Sequence, residues 1–168
     1  MERDGYSSCS SVVLTTSERL NLFTSVLGDG VDARLDPDET LPLDDFLCNV
    51  ACARGKLVVL DEFHFYEVDD LLVGLERFLD IWPDLARRLR IVVVCSQRKA
   101  GDPVLTRLAA YCQIPDLIWD CRGGDVTIGL AEMLRKPCSR VDVLELLRAG
   151  LGTNTMASVT YRGNKLSL

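Results

Sequence analysis

Three stretches of this sequence are nearly continuous apolar runs rich in β-branched residues: SVVLTT at 11–16, KLVVLD at 56–61 and IVVVCS at 91–96. No other feature limits the fold so strongly. A strand with one wet face alternates apolar with polar residues. A strand that is apolar throughout needs cover on both faces, as in a parallel sheet flanked by helices.

The stretches between these runs supply that cover. SERLNLFTSVLG (17–28) predicts a helix with Ser17 as its N-cap, Leu20, Phe23 and Leu27 at helical spacing, and Gly28 as its stop. LPLDDFLCNVACARG (41–55) predicts another, with Phe46, Val50 and Ala53 on one face and Gly55 at its end. In the segment 66–90 the positions Leu71, Leu72, Leu75 and Phe78 predict helix as far as Trp82, where Pro83 breaks or kinks it. GDPVLTRLAAYCQ (101–113) opens with Asp102 as cap and Pro103 at the first helical position. Segments 125–136 and 139–149, separated by Pro137, read as closing helices. VDARLD (31–36) and DLIWDC (116–121) are weaker strands. Five strands alternating with helices predict an α/β fold with right-handed crossovers: a doubly wound, flavodoxin-like five-stranded parallel sheet of order 2-1-3-4-5. The domain is expected over 1–149. Residues 150–168 form a C-terminal tail, with an edge strand at ASVTY or a linker role.

Composition narrows function by exclusion. The 168 residues suit one domain, and 48% hydrophobic against 26% charged is an ordinary globular balance. A formal net charge of −6 argues against nucleic acid and anionic membrane surfaces, which attract excess Lys and Arg. No run reaches the ~18 apolar residues of a membrane span, and MERDGYSSCSS has no basic or apolar leader pattern. A cytoplasmic protein without membrane insertion is expected. The seven cysteines include no C-x-x-C pair, and the single histidine, His64, completes no metal motif with Cys48 and Cys52. Reduced structural thiols, and no metal, are the expectation.

In such folds ligands bind beyond the carboxyl ends of the strands. The candidate pocket residues are therefore Thr15, Thr16, Asp61, Glu62 and Ser96, with Cys121 and Arg122. VVLDE resembles the acidic strand of an ATPase, but no G-x-x-x-x-G-K-[ST] cradle accompanies it, so any P-loop would have to lie outside this chain. From residue 11 to about 121 the element order resembles the response-regulator receiver family of two-component signalling. Asp61, ending the third strand, matches the phosphoacceptor, and Ser96, ending the fourth, matches the small hydroxyl residue of receivers. The resemblance would imply magnesium as cofactor. Receivers hold it with two further carboxylates after the first strand, where this chain has Thr15 and Thr16. The lysine that ends the fifth strand is replaced by Cys121 and Arg122. The chain thus resembles a degenerate receiver, or pseudo-receiver, with no catalysis and no cofactor of its own. AGDPVLTRLAAYCQIPDLIWDC is similar to part of the amino-terminal modules of ParA/MinD-like ATPases, including those of pilus assembly. That resemblance implies a bacterial module for protein interaction, dimerisation or localisation.

The plainer alternatives stand beside this. Acids at the solvent end of a strand are common, and Asp36, Asp38, Glu39, Asp44 and Asp45 read as a solvated face. His64 between Phe63 and Phe65 reads as a partly buried histidine, and Arg87, Arg88 and Arg90 as partners of nearby acids. In receivers the fourth helix, fifth strand and fifth helix form the usual partner face, which falls here at about 102–136. Leu105, Leu108, Tyr111 and Trp119 are the candidate interface residues for a protein partner or homodimer, within a set that also includes Ile114, Ile128 and Met133. Tyr111 is the expected exposed anchor.

Overall fold

The structure, a computed structural model, describes residues 11–53, 57–136 and 139–151. The five strands form one parallel sheet in the order β2-β1-β3-β4-β5, as the alternation of apolar runs predicts. They are β1 (Ser11–Leu14), β2 (Asp32–Arg34), β3 (Leu57–Asp61), β4 (Arg90–Cys95) and β5 (Leu117–Trp119). The helices are α1 (Leu20–Leu27), α2 (Leu43–Cys52), α3 (Val68–Ile81), α4 (Pro83–Ala86), α5 (Pro103–Thr106), α6 (Gly124–Arg135) and α7 (Arg140–Arg148). A 3-10 turn, Glu62–His64, follows β3, and a π-helical turn, Arg107–Tyr111, continues α5.

The chain divides into two compact units between Val93 and Val94, within β4. In the first, Val58, Val59 and Leu60 have no exposed surface. Successive strand residues point to opposite faces, so three buried in a row require cover on both. β2 is the edge, with only its central residue partly covered. β1 and β3 run in register, Leu14 opposite Leu60, which sets the next residues, Thr15 and Asp61, side by side. On α3 the spaced Leu71, Leu72, Leu75 and Phe78 are buried as expected. Pro83 ends that helix by opening α4 as its first residue.

In the second unit Leu105, Leu108, Leu117, Ile118 and Trp119 are completely buried, together with Val126 and Leu130 of α6. Asp102 caps α5 by accepting the Val104 N–H at 2.8 Å, with Pro103 at the first position. Ser139 caps α7, accepting the Asp142 N–H at 3.1 Å. The Trp119 indole donates to the Leu151 carbonyl at 2.9 Å, which satisfies the one polar atom of a buried ring.

Two local expectations are corrected. α1 begins at Leu20 and not at Ser17; residues 17–19 form a turn, and the N-cap is Arg19, whose side chain is engaged elsewhere. Ala53, expected on the buried face of α2, is its exposed C-cap. Gly28 does end α1, with φ of 92° that favours glycine. Gly55, Pro137, Cys9, Cys138 and the ASVTY segment lie outside the described residues. Of the described cysteines, Cys95, Cys112 and Cys121 are buried, Cys48 is half-buried and Cys52 exposed, all as free thiols. No helix among the described residues is long and apolar enough to cross a membrane.

Candidate functional site

The in-register ends of β1 and β3 build the site. Thr15 and Asp61 leave the sheet on adjacent strands and both are fully buried. The Thr15 hydroxyl donates to Asp61 Oδ2 at 2.6 Å. The turn at 17–19 brings Arg19 back to the same oxygen, with Nε donating at 2.7 Å. The other carboxylate oxygen, Oδ1, faces the Phe63 N–H at 3.4 Å, at the start of the 3-10 turn. The Arg19 guanidinium also lies 4.4 Å from the centre of the Phe63 ring. A cation is thus held between a buried carboxylate and an aromatic face, favourable on both sides.

His64, the last residue of the same turn, adds a further contact. It is buried, and its Nδ1 sits 3.0 Å from the Thr15 carbonyl. A carbonyl only accepts, so Nδ1 carries the proton of this contact. The expected partly buried histidine is therefore a brace between the 3-10 turn and the end of β1. The Thr16 hydroxyl oxygen is buried without a hydrogen-bond partner among the described residues. Glu62 is half-buried in the first position of the turn.

The structure thus joins Thr15 and Asp61, and adds two residues that strand-end reasoning passed over, Arg19 and His64. Arg19 had a usable signal: a carboxylate buried at a strand end needs a cation, and Arg19 is the first basic residue after β1. The remaining candidates belong to the second unit. Ser96 is buried, and its carbonyl accepts the Cys121 N–H at 2.9 Å. Arg122 is exposed at the turn into α6. Leu105, Leu108 and Trp119, named as interface candidates, are completely buried and fill the core of that unit. Of that set Tyr111, 78% exposed on the π-helical turn, remains at the surface, and Ile128 on α6 is also exposed.

Magnesium does not fit the donors at Asp61. Magnesium takes an octahedral shell of oxygens, commonly one or two accessible carboxylates with waters completing it. Here Thr15 and Thr16 are neutral, and Asp61, which has no exposed surface, already gives Oδ2 to Thr15 and Arg19. Among the described residues no cluster of three or more His, Cys, Asp or Glu side chains could hold a metal ion. The arrangement neutralises a buried charge and ties the β1 end, the turn before α1 and the 3-10 turn together. Comparison of the chain with protein-family models, with curated proteins and with solved structures finds no match.

Proposed function

We propose that the chain is a non-catalytic, receiver-like module that acts by binding protein, either a partner or a second copy. The observation that carries this reading is the state of Asp61. A phosphoacceptor carboxylate must offer a free oxygen to an incoming phosphoryl group, with a metal to offset the charge that gathers there. Asp61 has no exposed surface, and one oxygen is held by Thr15 and Arg19. A fully buried, ion-paired aspartate suits a structural lock in the place where receivers carry out chemistry. The net charge of −6 directs the module toward protein and away from nucleic acid. The exposed Tyr111 gives it a face with an aromatic anchor.

The test is incubation with acetyl phosphate, and separately with beryllofluoride, in the presence of magnesium. The expected result is an unchanged intact mass and unchanged amide NMR shifts at residues 61–64. A phosphoryl adduct on Asp61 that disappears in Asp61→Asn overturns the proposal and makes the chain a working receiver.

A further inference from the structure

The acidic stretch after β2 lines a cleft and is not merely a solvated loop. Asp36, Asp38, Glu39 and Asp44 border a cavity of about 590 Å³, and Asp69 and Asp70 from the first turn of α3 border it as well. These six carboxylates meet two guanidiniums in the lining, Arg34 and Arg77, an excess of four negative charges. Arg34 is already engaged, lying 5.4 Å from the Phe46 ring centre and 3.4 Å from Asp32.

Three of these acids sit at helix starts and one is held by a turn. Asp44 lies in the first turn of α2, and Asp69 and Asp70 lie in the first turn of α3, where the helix dipole favours negative charge. Asp38 accepts the Thr40 hydroxyl at 2.7 Å and the Thr40 N–H at 3.0 Å, and these bonds hold its carboxyl below the usual range. Among the described residues no ion pair engages Asp36, Glu39, Asp44 or Asp69.

The cleft is also apolar. Tyr66 is 68% and Val73 39% exposed, and both line it with Phe65 and Leu41. Apolar and acidic side chains therefore line one cavity together, instead of lying scattered over separate surfaces. The cavity is built on a close approach of two helices. A Cβ on Gly74 of α3 would lie 2.6 Å from the Cβ of Leu43 on α2, so the wall is formed without room to spare. Its volume suits a short run of side chains.

We infer that this cleft docks a basic amphipathic peptide segment of a partner protein, with Lys or Arg interleaved with a large apolar side chain. A small cation would leave the Tyr66 and Val73 surface uncovered, and nucleic acid or an acidic peptide would meet like charge. This deepens the reading of the chain as a binding module, and the two fail separately: acyl-phosphate labelling of Asp61 would overturn that reading, whereas the cleft is tested by peptide binding alone.

The experiment selects a random-peptide phage library on the immobilised full chain, then measures the enriched peptide, synthesised with a fluorophore, by anisotropy. The variants are Asp36→Lys/Glu39→Lys, on an exposed loop, and Tyr66→Ser, each checked for an unchanged circular dichroism spectrum and melting temperature. Enrichment of peptides mixing basic and large apolar residues is expected, with affinity falling on the order of tenfold or more in each variant and with rising salt. No enrichment, enrichment of uncharged or acidic peptides, or affinity unchanged in both variants overturns the inference. Self-association of the wild type that Asp36→Lys/Glu39→Lys abolishes would also overturn it, assigning the cleft to a second copy.

Discussion

Arg19→Met removes the cation that neutralises Asp61 while keeping a side chain of similar reach. Asp61 is fully buried and the Arg19 side chain is 18% exposed. Removing one member of a buried pair costs about 3–5 kcal/mol, because the other is left as an uncompensated charge. The partial exposure of Arg19 lets water follow into the gap, which puts the cost at the lower end, about 3 kcal/mol. The Thr15 hydroxyl still donates to the carboxylate, and methionine keeps a contact with the Phe63 ring, so neither is lost in addition. Against a total stability of roughly 5–15 kcal/mol this is a large fraction.

The sharper result concerns the double variant. Asp61→Asn in the Arg19→Met background replaces the stranded charge with a neutral amide that still accepts from Thr15. The double variant should therefore be more stable than Arg19→Met alone, by about 1–2 kcal/mol. Urea unfolding followed by circular dichroism measures both, with the midpoint shifting at unchanged slope. If Arg19→Met costs less than about 1 kcal/mol, or if Asp61→Asn adds a further loss to it, the buried-lock account of this site is wrong.

Gly74→Ala should destabilise the protein by about 1–2 kcal/mol in the same urea assay: the added methyl overlaps Leu43 Cβ, and the better helix propensity of alanine offsets the strain only in part. Tyr111→Glu should leave the melting temperature unchanged, because the ring is exposed, and should abolish any self-association of the wild type seen by light scattering at micromolar concentration. At pH 8 a thiol-specific reagent should label the exposed Cys52 ahead of Cys48, whose thiol is pushed up by desolvation and then by Asp45 and Asp44; mass spectrometry of timed digests reads the order. Asp38 should titrate below the ordinary carboxylate range by NMR, and Thr40→Val, which removes the stronger of its two stabilising bonds, should move it upward.

What could be read in the sequence depended on how local its cause is. Val58 to Leu60 and Val92 to Val94 are apolar throughout and buried, so the central strands could be read from the runs themselves, and the alternation with helices gave the sheet order. Asp102 and Pro103 start α5 by contacts two residues apart, and they too were legible. Ser17 offered an equally good local cap for α1 and was not used. The reason lies at Asp61, 42 residues away, whose burial requires the guanidinium of Arg19. Continuing the helix back to Ser17 would fix residues 17–19 in helical geometry in place of the turn from which Arg19 reaches Asp61. A buried charge without its partner costs more than a helix cap contributes, by about 3 kcal/mol against about 1, so the long-range pair decides where the helix begins. The acidic cleft has the same character: residues 36–44 read as a solvated loop until the close approach of α2 and α3 at Gly74 brings Asp69 and Asp70 beside them. In this chain the strands are written locally, whereas both candidate sites are created by pairs of segments that no short window of sequence contains.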